Sequence, residues 1–326
     1  MAEMMKAAVI RAAGGPEVLK LESLPVPAPR PGEVLIRVRA FGLNRSELFT
    51  RQGHSPGVQF PRVLGIEAVG EVAAAPGGEF APGTVVATAM GGMGRQFDGG
   101  YAEYTCVPAG QVQAVRAGLA WETLGALPEM LQTAWGSLFK ALPLERGERL
   151  LVRGGTTSVG LAAAAIARNH GAHVAATTRR ADREGMLRAA GADEVFVDDG
   201  AIAKQVRAAH PEGFDRVLEL IGVATLEASL RCARPGGIVC MTGIVGNRWS
   251  FDAFAPMEAI PTAVCLTSYA GESADFLATP LDDLAGQVAA GTLKVQVGRV
   301  FRLDEIAEAH RCMEENQAGG KIVVLT

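Results

Sequence analysis

The segment with the most readable chemistry is GGTTSVG at residues 154–160, which follows the apolar run ERLLVRG and precedes an alanine-rich stretch. A glycine-rich turn between a strand and a helix directs the backbone N–H groups of the helix N-terminus at a phosphate. The turn lies at the first strand–helix step of an alternating series, which strengthens this interpretation. We predict that it binds a pyrophosphate through Gly155, Thr156, Thr157, Ser158, Val159 and Gly160.

Three residues of this turn have distinct expected roles. We expect Gly155 to make the tight turn and Gly160 to permit close packing of the helix on the strand. Thr157 stands where the G-x-G-x-x-G pattern has its middle glycine. Its Cβ adds bulk beside the pyrophosphate, and we expect its hydroxyl to offset this by donating a hydrogen bond.

The end of the second strand, about 20 residues beyond such a turn, decides between NAD and NADP. An acidic residue there binds the ribose 2′-hydroxyl, whereas this chain has arginines at the strand end and just after it. The residues concerned are Thr177, Arg179, Arg180 and Arg183. Because guanidinium groups form bidentate, charge-assisted hydrogen bonds with phosphates, we predict NADPH as the cofactor. The alternative is that the arginines are the solvated start of the next helix.

The elements that position this turn follow a repeating pattern. Within residues 121–267, apolar runs alternate with helical segments, which predicts a doubly wound parallel sheet covered by helices on both faces. Residues 1–120 instead carry short runs of Val, Ile and Leu between Gly and Pro turns, which is typical of a β-rich domain. Residues 268–326 are mixed, and we expect them to rejoin the first domain. The predicted fold class is therefore α/β with two domains.

Composition excludes several classes of function. The chain is 48% hydrophobic and 20% charged, which is typical of a globular protein and excludes intrinsic disorder. A net charge of −4, without a basic run, argues against nucleic-acid binding. The 5 cysteines include no C-x-x-C pair, which argues against a disulfide framework and a cysteine-rich zinc site. We see neither a signal peptide nor a run of about 20 apolar residues, and we expect a cytoplasmic protein.

Longer motifs occur along nearly the whole chain: PGEVLIRVRAFGLNRSELFTRQG, FPRVLGIEAVGEV, DGGYAEYTCVP, LPEMLQTAWGSLF and GGKIVVLT. With the order of the domains, they resemble the medium-chain dehydrogenase/reductase superfamily. The resemblance is strongest to its zinc-independent NADPH:quinone oxidoreductase branch, which includes zeta-crystallin. It implies a GroES-like catalytic domain, a Rossmann domain that binds NADP(H), and a homodimer or homotetramer.

The resemblance also permits a test for zinc. Zinc-dependent relatives have a Cys at the position of Asn44 and a His at the position of Ile66. Catalytic zinc needs three N, S or carboxylate ligands, and an amide or an aliphatic side chain does not supply them. Glu67 and Glu129 lie near this region, but two carboxylates do not complete such a site. We predict no metal, and Glu67 is at least as well explained as a satisfied buried carboxylate as by a catalytic role.

For catalysis, the resemblance assigns Asn44 to the nicotinamide region, where it would orient the reactants or bind an oxygen. Phe49 stands where some quinone oxidoreductases have a tyrosine, which removes one candidate proton donor. His54 and Ser55 are the candidate replacements, and solvent is the alternative proton source. The resemblance implies further cofactor contacts at Thr133, Gly243, Asn316 and Lys321. The alternatives for these four residues are ordinary structural roles, such as a strand-end turn at Gly243 or a surface charge at Lys321.

These residues predict hydride transfer from NADPH to a quinone without a metal, because a conjugated acceptor spreads the charge that it receives. One alternative is an NADPH-dependent enoyl or enone reductase that acts on an activated C=C bond. The other is a non-catalytic, crystallin-like NADPH-binding protein. The expected partners are a small-molecule quinone or enone and further copies of the chain, with no nucleic acid and no membrane.

Overall fold

The computed structural model describes residues 3–326, and these residues form two compact units. The first unit contains the described residues through Gln132, together with Gly271–Thr292 and Gln296–Thr326. The second unit contains Thr133–Ala270 and Leu293–Val295.

Secondary structure covers the described residues from near their start to their end. The strands are β1 (Met4–Ile10), β2 (Lys20–Pro25), β3 (Glu33–Gly42), β4 (Arg62–Val63), β5 (Glu67–Ala74), β6 (Val85–Ala89), β7 (Tyr104–Pro108), β8 (Val112–Ala114), β9 (Arg149–Arg153), β10 (His173–Thr178), β11 (Glu194–Val197), β12 (Phe214–Glu219), β13 (Ala233–Met241), β14 (Cys265–Ser268), β15 (Val297–Arg302) and β16 (Lys321–Leu325). The α-helices are α1 (Arg45–Arg51), α2 (Trp121–Leu124), α3 (Pro128–Trp135), α4 (Ser158–His170), α5 (Glu184–Ala189), α6 (Ile202–Ala209), α7 (Leu226–Leu230), α8 (Pro256–Ala259), α9 (Ser273–Ala278), α10 (Leu281–Ala289) and α11 (Ile306–Glu314). A π-helical segment, Gly136–Ala141, follows α3.

The first unit is built on two sheets. Three strands pair in the order β2-β1-β4, and a larger sheet has the order β15-β16-β3-β5-β6-β8, with β7 also paired to β3. The C-terminal strand β16 runs antiparallel to β3, with Val324 opposite Phe41. Their buried faces join a core that includes Ile36, Val38 and Tyr101. The last segment of the chain therefore belongs to the β-rich unit.

The boundary that we predict at residue 120 is wrong, because the first unit extends to Gln132. Helix α2 packs on β3 and β16. The approach is close, since a Cβ added at Gly125 would lie 2.7 Å from the Ala40 Cβ and 3.0 Å from the Val323 Cγ1. The helical periodicity at residue 121 marks the end of the strand-rich pattern, but the buried face of α2 is covered by the first unit's own strands.

The second unit contains a six-stranded sheet in the order β11-β10-β9-β12-β13-β14, and every adjacent pair is parallel. Helices α4 to α7 connect the first five of these strands along the chain. Apolar strand residues such as Leu151, Val217 and Val239 are buried, as a sheet covered on both faces requires. The chain reverses its direction of winding between β9 and β12, and such a switch point is where open α/β sheets bind ligands. The predicted parallel sheet is confirmed.

Candidate functional site

The turn between β9 and α4 begins in the left-handed region of backbone conformation. Gly154 has a φ of 77°, which favours glycine. A Cβ added at Gly155 would instead lie 2.9 Å from the Ala176 Cβ and 3.0 Å from the Leu187 Cδ2. The expected roles are therefore corrected: Gly154 makes the tight turn, and Gly155 permits the close packing of the turn on β10 and α5.

Gly160 lets the first turn of α4 approach the backbone of the preceding turn. A Cβ at this position would lie 2.7 Å from the Gly154 carbonyl oxygen and 2.8 Å from that of Gly155. Such distances leave no room for a side chain against fixed backbone atoms. Gly160 therefore permits close packing on the turn that precedes α4, and not on the strand as we expected.

Thr157 is the N-cap of α4. Its Oγ1 accepts a hydrogen bond from the Gly160 N–H at 3.0 Å and donates one to the Gly154 carbonyl oxygen at 2.9 Å. The hydroxyl proton is thus used inside the turn, and the expectation that it points to a pyrophosphate is wrong. The N–H groups of Ser158 and Val159 lie in the first helical turn, which has no intrahelical acceptors for them. These amides are suited to an anion.

Replacing Thr157 with alanine should lower the free energy of unfolding by about 1–2 kcal/mol, because the cap of α4 is lost. Thr157→Ser is the matched control, since it keeps the hydroxyl, and it should stay close to the wild type. Urea denaturation followed by circular dichroism measures both variants. Equal losses in the two variants would show that the cap does not stabilise the helix.

The residues that we predict to bind the cofactor at the end of β10 differ in their burial. Thr177 is buried and serves the turn itself, because its Oγ1 accepts from the Gly154 N–H at 3.2 Å and its carbonyl oxygen accepts from the Gly155 N–H at 3.1 Å. Arg179 and Arg180 are exposed. The Arg180 guanidinium pairs with Asp182, whose side chain is 61% exposed, and this contact lowers the pKa of the carboxyl. An exposed pair of this kind is weak, so it can open for a competing anion.

Sequence reasoning missed Glu219 at the end of β12. This buried carboxylate accepts hydrogen bonds from the Ile221 N–H at 2.6 Å, from the Gly222 N–H at 2.9 Å, and from two hydroxyl groups. The available signal was an acidic residue within the apolar strand FDRVLELIG. Glu219 fixes the loop after β12, while its carbonyl oxygen accepts from the Gly243 N–H at 3.2 Å. Gly243 is a position of close approach, because an added Cβ would overlap the Leu220 backbone.

A second group of polar residues lies in the first unit. We call it the polar cluster, and it consists of Asn44, Glu47, Glu67 and Lys321, which are buried, and Glu129, which is half-buried. The Lys321 Nζ lies 2.9 Å from the Glu67 Oε1 and 3.5 Å from the Glu129 Oε2, and it also donates to the Asn44 Oδ1. Strands β3, β5 and β16 and helices α1 and α3 position these side chains.

The cluster determines how the Asn44 amide is oriented. Its Nδ2 donates to the Glu67 Oε1 at 2.8 Å and to the Glu47 Oε1 at 3.3 Å, while its Oδ1 accepts from Lys321. Both amide protons are therefore used within the protein. Asn44 cannot donate to a substrate oxygen unless this arrangement changes.

Lys321 and Glu67 are both buried, and they form one ion pair. The alternative of a surface charge at Lys321 is wrong, whereas the interpretation of Glu67 as a satisfied buried carboxylate is confirmed. Burial acts to lower the pKa of Lys321, but the neighbouring carboxylates, Glu67 and then Glu129, together outweigh it and raise this pKa. The ammonium therefore stays charged.

The remaining predicted residues are spread over both units. His54 is exposed in the turn after α1. Asn316 is exposed after α11, has a φ of 54°, and accepts a hydrogen bond from the Arg45 Nη2 at 2.8 Å. Thr133 lies within α3, and its carbonyl oxygen accepts from the Ser137 hydroxyl at 2.6 Å. Arg183 is half-buried at the start of α5.

A buried histidine near the cluster was also not foreseen. His310 is fully buried in α11, and its Nε2 lies 3.0 Å from the Tyr101 hydroxyl. Its Nδ1 is buried without a hydrogen-bond partner. Burial, with the nearby Arg51 guanidinium, lowers the pKa of His310 to about 3. The imidazole is therefore neutral at physiological pH.

Two known families match parts of this chain. The family described as "Alcohol dehydrogenase GroES-like domain" matches residues 30–117, and the one described as "Zinc-binding dehydrogenase" matches residues 190–324. The quinone oxidoreductase of Homo sapiens is 30% identical over 341 residues, covering 99% of this chain and 98% of the relative. The chain belongs to the medium-chain dehydrogenase/reductase superfamily. Within it, the chain is quinone oxidoreductase-like.

Solved structures of the superfamily share the fold. One described as an NAD-dependent alcohol dehydrogenase has a TM-score of 0.88 and 30% identity, covering 99% of this chain and 100% of its own. A mycobacterial protein complexed with NADPH has a TM-score of 0.87 and 27% identity, with the same coverage. The predicted α/β fold, with a GroES-like domain and a Rossmann domain, is confirmed, as is the prediction that this chain is an oxidoreductase. These relatives support a nicotinamide cofactor.

Among residues 3–326, no three His, Cys, Asp or Glu side chains are grouped so that they could hold a metal ion. Over the same residues, no helix has both the length and the apolar character needed to cross a membrane.

Proposed function

We propose that this chain is an NADPH-dependent reductase that transfers a hydride to a quinone without a metal. The exposed arginines Arg179 and Arg180, which follow β10 with no carboxylate at the strand end, carry the choice of cofactor. The two solved relatives described above differ in their cofactors, one being NAD-dependent and one complexed with NADPH. The proposed preference for NADPH over NADH therefore rests on this chain's own residues.

The turn after β9 fits a dinucleotide. The N–H groups of Ser158 and Val159 would bind the pyrophosphate, and Gly160 lets the first turn of α4 lie close to the backbone of the preceding turn. Arg179 and Arg180, with Arg183 beside them, would bind a 2′-phosphate. We further propose cofactor contacts from Thr133, Gly243 and Asn316. The side chains of Thr177 and Lys321 already bind within the protein, to the Gly154 N–H and to Glu67. These two residues would therefore act indirectly, by positioning the groups that they bind.

When bound, the nicotinamide supplies the hydride. Asn44 contributes by orientation, since its amide is held at both ends by charged residues of the polar cluster. His54 is the candidate proton donor because it is an exposed imidazole, and solvent is the alternative. A quinone or an enone suits this site, because conjugation stabilises the charge without an electrophilic metal.

Zinc does not fit the residues at this position, although one matching family is described as zinc-binding. Zinc prefers Cys and His ligands in a tetrahedral set. Here the Asn44 amide is held by Lys321 and Glu67, and Ile66 offers no donor. The ammonium of Lys321 lies where the nearby carboxylate oxygens converge. We therefore propose that the hydride transfer requires no metal.

Nicotinamide absorbance tests this proposal with a panel of quinones and a panel of enones, each with NADPH and NADH, before and after chelation. We expect oxidation of NADPH by quinones that survives chelation. Turnover of enones alone would favour the enoyl or enone reductase, and turnover of neither panel would overturn both. Loss of activity on chelation would overturn the metal-independent reaction.

Replacing both Arg179 and Arg180 with alanine should reduce kcat/KM for NADPH by about tenfold to a hundredfold while changing that for NADH little. Each charge-assisted hydrogen bond to the 2′-phosphate contributes about 1.5–3 kcal/mol, part of which solvent replaces. Arg231→Ala is the matched control, because Arg231 is also exposed and paired with a carboxylate. Equal losses with both cofactors would show that the arginines do not bind the 2′-phosphate.

We also propose a cytoplasmic protein that forms homodimers or homotetramers. The 5 cysteines are free, which suits a reducing compartment. Strand β14 is at the edge of the parallel sheet, and Trp249 and Met257 of the same unit are exposed. Light scattering after size-exclusion chromatography tests the state of assembly, and a monomer would contradict it.

A further inference from the structure

We infer that the polar cluster is an oxygen-lined cation site whose resident cation is the ammonium of Lys321, and that removing this ammonium opens the site to a divalent metal. The inference concerns the same region as the proposed reaction. It rests on the geometry of the first unit and not on the identity of the hydride acceptor.

Three oxygen atoms of different side chains surround the Lys321 Nζ. They are the Glu67 Oε1 at 2.9 Å, the Glu129 Oε2 at 3.5 Å, and the Asn44 Oδ1. Two carboxylates and an amide carbonyl are the ligand types of hard cations such as Mg²⁺, Ca²⁺ and Mn²⁺. Nitrogen and sulfur ligands, which zinc prefers, are absent from this set.

The backbone leaves room for the ammonium at this point. A Cβ added at Gly42 would overlap the Lys321 Cε, and it would lie 2.5 Å from the Glu67 Oε1. Gly42 ends strand β3, beside the C-terminal strand that carries Lys321. The bare glycine therefore provides the space in which the cation meets the carboxylates.

The cluster also contains more carboxyl groups than cationic groups. Lys321 is its one cation, whereas Glu47, Glu67 and Glu129 supply three carboxyl groups. The Glu47 Oε2 is buried and has no hydrogen-bond partner. Carboxylates held out of water without a cation are costly, so we expect the chain that has lost the ammonium to bind another cation beside Glu67 and Glu129.

Mn²⁺ titration followed by electron paramagnetic resonance tests the inference on the chelator-treated full chain. We expect Lys321→Ala to bind one Mn²⁺ per chain and to gain about 5 °C in Tm when Mn²⁺ is about 100-fold above its Kd. Wild type should bind no Mn²⁺ at this site. Lys20→Ala is the matched control, because it removes an exposed strand lysine of the same unit.

The double variant Lys321→Ala, Glu67→Gln should lose the Mn²⁺ binding, because it removes a ligand charge. If Lys321→Ala does not fold, Lys321→Ala combined with Glu47→Gln replaces it, since this pair lowers the buried negative charge while keeping the three oxygen ligands. A folded variant of either kind that binds no Mn²⁺, or a wild type that binds it equally, would overturn the inference. The readout involves no hydride transfer, so failure of the proposed reaction would be a separate result.

Discussion

Lowering the pH from 6.5 to 3 should reduce the free energy of unfolding of the wild type by about 4 kcal/mol more than that of His310→Gln. Burial holds the pKa of His310 at about 3, whereas the unfolded imidazole titrates near 6.5. Below pH 6.5 the unfolded chain therefore binds a proton that the folded chain rejects. This difference destabilises the fold progressively until the pH reaches the folded pKa.

Urea denaturation at a series of pH values measures this effect as the difference between the two proteins. Other carboxyl groups titrate in both proteins, so the difference isolates the imidazole. His54→Gln removes an exposed histidine of the same unit and should follow the wild type. Parallel pH profiles for the wild type and His310→Gln would contradict the prediction.

Glu47 should produce a pH dependence of the opposite sign. Burial foremost raises its pKa to about 7, from an ordinary value of 4.5. The folded chain then retains a proton that the unfolded chain releases, so the contribution is full below pH 4.5 and is lost as the pH rises to 7. Relative to Glu47→Gln, the wild type should lose about 3 kcal/mol of unfolding free energy as the pH rises from 4.5 through 7, and the loss should level off about one pH unit above 7.

The same denaturation series tests Glu47→Gln, with Glu212→Gln as a control at an exposed position. The glutamine keeps an oxygen that can accept from the Ile66 N–H, which Glu47 now binds at 3.1 Å. A constant difference between wild type and variant from pH 4.5 to 7 would show that the carboxyl is not buried as described. In the wild type, the opposite slopes of Glu47 and His310 partly cancel between pH 4.5 and 6.5, so the single variants reveal more than the wild-type profile.

The glycine-rich turn after β9 shows how much a local sequence pattern can predict. Its place between a strand and a helix followed from the residues, because Gly and hydroxyl residues before an apolar helix have strong local preferences. The roles of the individual residues within the turn did not follow from the sequence. Gly154 rather than Gly155 adopts the left-handed conformation, and the Thr157 hydroxyl caps α4. These details depend on β10 and α5 packing on the turn, which lie further along the chain.

The polar cluster was less accessible to sequence reasoning. Lys321 is separated in sequence by 277 residues from Asn44, which it contacts. No local propensity indicates that an ammonium in the last strand meets Glu67 of β5. The pairing of β16 with β3 brings them together, and the space beside Gly42 lets the side chain enter.

By itself, the sequence determined the order of the domains, the parallel sheet, the glycine-rich turn after β9 and the arginines after β10. All of these depend on residues close together in the chain, where periodicity and turn preferences act directly. Only the tertiary structure decided which polar groups are buried together, how the Asn44 amide is held, and that His310 is neutral. The physical reason is that burial and pairing between distant segments set the electrostatic environment of each group, and neither is encoded in local spacing.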